Sequence, residues 1–263
     1  QVVDALREAA IDPSVKRICI NLYRVAHNSK IINALVNAAY NGKKVQVVIE
    51  LAARFDERHN IKISNVLQEA GIQVEFGVTG LKVHSKTFLI EREIEGRTQR
   101  IAYIGTGNFH EETARFFSDF GLFTADSALT DEVAKLFSFF SSNYERPDFK
   151  HLVVSPYQTR STYLKLLDRE VEHARAGRPA RVILKLNNLV DHGMIEALYA
   201  ASGAGVRIDL IVRGICSLIP GVKGMSENIQ VRSLLGRYLE HSRVLYFENN
   251  GAPEYFLSSA DWM

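Results

Sequence analysis

The sequence predicts an α/β protein of two tandem domains related by pseudo-twofold symmetry, each a mixed, mostly parallel sheet flanked by helices. Three observations predict it. Helical and strand-like periodicities alternate along the chain, the same order of elements recurs in the second half, and two histidine-bearing strands close the copies in register. Those strands are "HSKTFLIE" (84–91) and "HSRVLYFE" (241–248), whose histidines lie 241 − 84 = 157 residues apart.

The first copy begins with an amphipathic helix at "VVDALREAA" (2–10) and the strand "RICINLY" (17–23). The helix "KIINALVNAAYNG" (30–42) and the strand "KVQVVIELAARF" (44–55) follow. The second copy reads "TYLKLLDREVEHARAG" (162–177), "RVILKLNNL" (181–189), "GMIEALYAASGAG" (193–205) and "VRIDLIVRGIC" (206–216). Ile32, Ala34, Leu35 and Ala38 match Ile195, Ala197, Leu198 and Ala201, the spacing of a buried helix face. Gly42 and Gly205 stand where each helix must stop and reverse. Short segments, "NVLQEAGIQVEFG" (65–77) and "MSENIQVRSLL" (225–235), lead to the histidine strands.

Each histidine strand ends at a turn signal, Glu95-Gly96 or Asn249-Asn250-Gly251, and a second strand returns. "YIGTGNF" (103–109) and "FLSSADW" (256–262) align position by position, placing Asn108 with Asp261 and Phe109 with Trp262. Pro147 interrupts the helical run through "EVAKLFSFF" (132–140), so the boundary falls in "NYERPDF" (143–149): domain one spans 1–145 and domain two 146–263. A pseudo-twofold pairing of equivalent surfaces is expected to bring His84 and His241 to one shared cleft.

Composition excludes extremes. The formal charge of +2 is too small to announce nucleic-acid binding, and no apolar run approaches the span of a bilayer. Cys19 and Cys216 read as free thiols of a reducing compartment, which points to the cytoplasm. There is no signal-peptide pattern; the chain starts at Gln1 and stops at "SSADWM", which reads as part of something longer.

A lone histidine in an apolar strand is ordinarily a packed one, but two in register, each with a basic residue two positions on, point to chemistry. A neutral imidazole is a nucleophile and a second can move a proton. Lys86 and Arg243, expected on the histidine face, would bind an anionic oxygen, and the set suits phosphoryl transfer. Glu91 and Glu248 lie an odd number of residues from their histidines and read as structural. Asp119 either orients an imidazole in one tautomer or is an ordinary strand-end aspartate. Arg24, Arg54 and Arg213 follow strands, where α/β sheets bind ligands, and suggest a polyanion channel. "GTGN" (105–108) could present backbone amides to phosphate, while Arg58 and His59 read as solvated.

The paired His-x-basic-x4-acid stretches, each followed by a small-residue turn with Asn or Asp, resemble the phospholipase D superfamily. Within it the chain is most similar to the polyphosphate kinase family, through "LYRVAHNSKI", "KVHSKTFLI", "YIGTGNFHEETARFFSDFGLFTAD", "KLNNLVD", "LIVRGICSLIPG" and "RYLEHSRVLYFENNG". The resemblance covers essentially the whole chain and implies two phospholipase D-like catalytic domains. It implies reversible transfer of the terminal phosphate of ATP to inorganic polyphosphate, with Mg2+. It further implies that His84 is phosphorylated, that His241 stands at the nucleotide, that Arg213 contacts ATP, and that Arg24 and Arg54 fall at magnesium-associated positions. Guanidinium has no lone pair for a metal, so those two are expected to touch phosphate oxygens beside the ion. One departure is Phe117, at the family's nucleotide-contacting tyrosine: it keeps a stacking face and lacks the hydroxyl. For the full-length enzyme the resemblance implies a homo-oligomer that binds ATP or ADP and polyphosphate, no nucleic acid, and a cytoplasmic location with peripheral attachment to the inner membrane left open. The competing readings are a phosphodiesterase, such as a phospholipase or nuclease, and a non-catalytic polyanion-binding fragment.

Overall fold

The structure, a computed structural model, describes residues 1–51, 57–142, 144 and 147–263. The chain divides into two compact units: Gln1–Arg115 with Gly121–Leu152, and Phe116–Phe120 with Val153–Met263.

The first unit contains α1 (Val2–Ile11), β1 (Val15–Leu22), α2 (Lys30–Tyr40), β2 (Lys44–Ile49), α3 (Glu57–Glu69), β3 (Gln73–Glu75), β4 (Thr87–Ile94) and β5 (Arg97–Gly105). After an excursion described below come β7 (Gly121–Thr124) and α4 (Ser127–Ser141). The sheet order is β3-β2-β1-β4-β5-β7. The β1–β2 and β2–β3 pairs are parallel, while β1–β4, β4–β5 and β5–β7 are antiparallel, so β1, β2, β3 and β5 run one way and β4 and β7 the other.

Burial follows from strand alternation. Ile18, Ile20 and Leu22 of β1 enter the core beneath α1 and α2, with Val45, Val47 and Ile49 of β2 beside them. Gln46, on the opposite face of β2, donates its amide to the Phe137 carbonyl and the Ser141 hydroxyl of α4. The Ser29 hydroxyl starts α2 by accepting from the Ile31 and Ile32 amides, and Gly42 at φ 76° lets the chain reverse after it. Glu95 and Gly96 both adopt positive φ, the requirement of the tight hairpin between β4 and β5.

The second unit repeats the plan with α5 (Thr159–Arg175), β8 (Arg181–Leu186), α6 (His192–Gly203), β9 (Arg207–Val212), β10 (Ile229–Arg232), β12 (Arg243–Phe247) and β13 (Glu254–Ser258). Its sheet order is β10-β9-β8-β12-β13, parallel from β10 to β8 and antiparallel beyond. Val182, Leu184 and Leu186 alternate with half-exposed neighbours, so α5 and α6 cover one face of this sheet. Asp191 caps α6 through the Met194 amide, and Gly205 at φ 97° follows its end.

Three expectations change. The sequence puts His84 and Lys86 on a strand, but β4 begins at Thr87, and His241 likewise precedes β12. Side chains bond the histidine and serine carbonyls here, as described below, while the Ser118 carbonyl accepts from the His241 and Ser242 amides at 3.2 and 2.9 Å. The sequence also assigns 116–120 to the first domain, whereas these residues group with the second unit. The reason is a two-stranded ribbon in which β6 (Phe117–Ser118) pairs in parallel with β11 (Leu239–Glu240). Finally, β2 stops at Ile49, and the expected strand-end residue Arg54 lies outside the described residues. Among the described residues no helix is long and apolar enough to cross a membrane.

A buried carboxylate ends the first unit. Glu132 of α4, 4% exposed, accepts from the Lys150, His151 and Leu152 amides at 2.7–3.1 Å. Burial alone would raise its pKa, but these amides outweigh it and hold the carboxyl below the usual range. Glu132→Gln should therefore cost about 1–3 kcal/mol at neutral pH in denaturant titrations. Because the folded pKa lies below the unfolded value of 4.5, the stability difference should be full above that pH and close as pH falls through the folded pKa. A pH-independent difference would exclude the charge as its cause.

Candidate active site

The stretch carrying His84 crosses from the β2–β3 side of the sheet to β4 with its backbone held by side chains. The Val83 amide donates to the Glu50 carboxylate at 2.8 Å, just past β2. The Ser85 carbonyl accepts from the Asn21 amide group, whose oxygen accepts from the Thr87 amide and hydroxyl, both at 2.9 Å. Lys86, 2% exposed, folds back so that Nζ donates to the carbonyl of His84. Its own carbonyl accepts from the Gly105 amide at 2.8 Å.

Tyr23 links the imidazole to the surrounding cations. Its ring meets His84 edge-on at 4.8 Å, and the nitrogens of Lys82 and Lys86 lie 5.4 and 5.0 Å from its centroid. Such contacts are worth about 0.5–2 kcal/mol each, more as water is excluded. Arg24, half-buried two residues beyond β1, places its guanidinium carbon 5.8 Å from the same centroid. A tyrosine ringed by cations beside an imidazole favours anionic ligands in this region.

In the second unit His241 sits between β11 and β12. Its Nδ1 lies 2.8 and 3.0 Å from the two oxygens of Asp119, carried on the β6 excursion. A carboxylate accepts only, so Nδ1 carries the hydrogen. Nε2 faces Nη1 of Arg243 at 3.2 Å and therefore accepts, and Nη1 also donates to the His241 carbonyl at 2.9 Å. Both ring nitrogens are thus assigned by their neighbours: a neutral imidazole, hydrogen on Nδ1, lone pair on Nε2. The Phe117 ring lies 5.1 Å from the His241 ring, tilted by 53°.

Arg243 is buried and paired with Asp261 through two nitrogens, at 3.2 and 3.0 Å. Burial pushes the Asp261 carboxyl up, yet the guanidinium and the Asn187 and Asn188 amides hold it below the usual carboxylate range. Oriented to satisfy both its ends, the Asn187 carboxamide donates to the Glu240 carbonyl at 3.1 Å and accepts from Arg243 Nη2 at 2.8 Å. Lys185 donates to the Ser242 carbonyl and hydroxyl at 2.9 and 2.7 Å and pairs with Glu240 at 3.0 Å.

The expected residues thus divide. His241, Asp119, Phe117 and Arg243 come together in the second unit, while His84, Lys86 and Arg24 gather around Tyr23 in the first. Lys86 and Arg243 were expected beside their histidines on a strand face; Arg243 opens β12 and does reach the His241 ring, while Lys86 precedes β4, and both also turn back to the histidine carbonyl. Arg213 follows β9 with its amide on the Leu186 carbonyl, and its buried Nη1 has no hydrogen-bond partner among the described residues, a donor available to a ligand. The "GTGN" turn does not offer every amide expected of it: that of Gly105 is already bonded, and a side chain at Gly105 would strike the Tyr103 ring at 2.6 Å. Glu91 is structural, ion-paired with Arg100 at 2.7 Å and Arg17 at 3.4 Å, and His59 packs against the His27 ring at 4.3 Å.

Sequence reasoning missed Asn21, Tyr23, Glu50 and Lys185. A polar residue interrupting an apolar run, as in "ICINLY" and "VILKLN", was the available signal. The donor set also bears on magnesium. Among the described residues no cluster of three or more His, Cys, Asp or Glu side chains is placed to hold a metal ion, and Arg24 offers no lone pair. These residues fit a metal that arrives on a ligand's phosphates, not one caged by protein oxygens.

Comparison with known proteins gives the family. A model described as polyphosphate kinase C-terminal domain 1 matches residues 1–146, and one described as polyphosphate kinase C-terminal domain 2 matches 152–263. A polyphosphate kinase of Vibrio vulnificus is 53% identical over 262 residues, covering 100% of this chain and 37% of its own length. One of Escherichia coli is 52% identical, covering 100% and 38%. The crystal structure of polyphosphate kinase from Porphyromonas gingivalis superposes with a TM-score of 0.91 at 46% identity, covering 100% of this chain and 44% of that one. The chain therefore spans little more than a third of the length of these curated relatives. With the first model alone matching more than half of its residues, the chain belongs to the polyphosphate kinase family.

Proposed function

We propose that the chain carries the catalytic residues of an enzyme that moves the terminal phosphate of ATP reversibly onto inorganic polyphosphate. The observation that carries this reading is the identity of about half of its residues, over its whole length, to polyphosphate kinases. The chemistry of the residues supports it. Phosphoryl transfer needs a positioned nucleophile and fixed positive charge more than elaborate covalent machinery. His84 offers an imidazole amid Lys82, Lys86 and Arg24 around one tyrosine ring.

In this reading a ring nitrogen of His84 attacks the γ-phosphorus of ATP in line. The P–N bond forms as the bond to the β–γ bridging oxygen breaks, and ADP leaves with that oxygen's electron pair. A terminal oxygen of polyphosphate then attacks the phosphohistidine and takes the phosphoryl group, leaving the histidine as it began. His241, with hydrogen on Nδ1 and a lone pair on Nε2, is the group able to accept a proton at Nε2, and Asp119 keeps that tautomer. Phe117 stacks on the base, and the unpartnered nitrogen of Arg213 binds a phosphate oxygen. Magnesium bound to the nucleotide would supply charge neutralisation, and Arg24 and Arg54 would contact phosphate oxygens beside it.

Labelling of the intact enzyme with γ-phosphate-labelled ATP should give an acid-labile, base-stable phosphoenzyme that His84→Ala abolishes. Equal labelling of that variant, or hydrolysis of phosphodiesters in place of ATP consumption, would overturn the reading. Asp119→Asn should lower turnover at least about tenfold, a part of the 10²–10⁴ that a positioned acid–base group supplies, with little change in the KM for ATP. Unchanged turnover would mean that the imidazole is oriented by other contacts.

A further inference from the structure

We infer that Asn21 and Lys185 are positioning residues for the two histidines, filling one structural role in the two copies of the fold with different chemistry. The inference rests on the reading that His84 and His241 perform the reaction. Register makes the positions equivalent. Ile20 pairs with Phe88, so the next residue, Asn21, comes opposite Thr87, the third residue after His84. Lys185 pairs with Val244, the third residue after His241. From these matched positions on β1 and β8, both side chains reach the same atom, the carbonyl of the serine that follows the histidine: Ser85 in one unit and Ser242 in the other.

The need is the same in both units. Each histidine lies just before its strand, where side chains hold the carbonyls of the histidine and of the serine after it, and a loose peptide there would let the imidazole wander. Lys86 and Arg243 hold the carbonyl of the histidine itself; Asn21 and Lys185 hold the next one. Two consecutive carbonyls fixed from two directions leave the imidazole little freedom except rotation about its own bonds.

Neither side chain is free to act as a phosphate clamp. Asn21 is 1% exposed, donates to Ser85 and accepts twice from Thr87. The ammonium of Lys185 has three hydrogens and three oxygen partners, the Ser242 carbonyl, the Ser242 hydroxyl and the Glu240 carboxylate. A cation with its donors so matched serves geometry rather than substrate. The alternative is that Lys185 matters only as the ion-pair partner of Glu240 on β11.

The test is steady-state kinetics on the intact enzyme, with thermal unfolding to verify that each variant is folded. Lys185→Met should lower kcat about 10–100-fold, the scale of a small misplacement of a reacting group, while the KM for ATP changes less than about threefold. Lys185→Arg, which keeps a donor at the carbonyl, should recover most of the loss. Glu240→Gln, which removes only the ion-pair charge, should stay within about threefold of wild type. A Lys185→Met enzyme with wild-type kcat, or one no worse than Glu240→Gln, would overturn the inference. Should Lys185→Met not fold, Asn21→Asp decides: near-isosteric, it turns an acceptor against the Ser85 carbonyl and should slow phosphohistidine formation at least about tenfold, and an unchanged rate would overturn the inference. A wild-type enzyme that forms no phosphohistidine would instead refute the proposed function.

Discussion

The carbonyl of each histidine is held by a buried cation two residues further along, Lys86 in one unit and Arg243 in the other. Much around the candidate sites depends on this contact. A cation taken out of water costs several kcal/mol unless its donors are met, so it must be surrounded by acceptors or aromatic faces. Lys86 has the His84 carbonyl and the Tyr23 ring; Arg243 has the His241 carbonyl, the Nε2 lone pair and the Asp261 carboxylate. The requirement explains why an imidazole and a basic residue stand two apart in both copies. In both copies the regular strand starts only after the histidine, at Thr87 and at Arg243.

The two copies have diverged in charge while keeping geometry. Position 261 is an aspartate bonded to Arg243, whereas its counterpart in the first copy is the neutral Asn108, whose side-chain oxygen is buried without a partner among the described residues. Position 185 is a lysine balanced by Glu240, whereas its counterpart, Asn21, is neutral. The second unit thus builds balanced pairs of full charges around His241 and adds Asp119 to them. The first sets its imidazole beside an aromatic ring ringed by cations. One ancestral plan can in this way supply two imidazoles with unlike surroundings.

The duplicated order of helices and strands was legible because burial repeats every 3.6 residues in α2 and α6 and every second residue in β8 and β12. The hairpin turns were legible because Gly96, Asn249, Asn250 and Gly251 are residues suited to positive φ. The two histidines and Asp119 were legible as residue types in a pattern. The strand starts were not, because "HSKTFLIE" and "HSRVLYFE" carry the composition of strands through to residues whose carbonyls are held by side chains. The role of Lys185 was unreadable for a related reason: although it interrupts an apolar run, a lysine in an alternating strand reads as solvated, and only the pairing with Val244 reveals the carbonyl it serves.

The β6 excursion makes neither unit a single stretch of polypeptide. The chain passes between them at 115/116, 120/121 and 152/153, and Asp119 rides on the short piece in the middle. A gene cut at the boundary between the two matched family models, after residue 146 and before residue 152, would leave His241 in one product and its carboxylate partner in the other. The duplication has therefore lost its modularity: evolution can exchange loops on either copy, but it can no longer shuffle the copies as independent exons without unmaking the imidazole of the second.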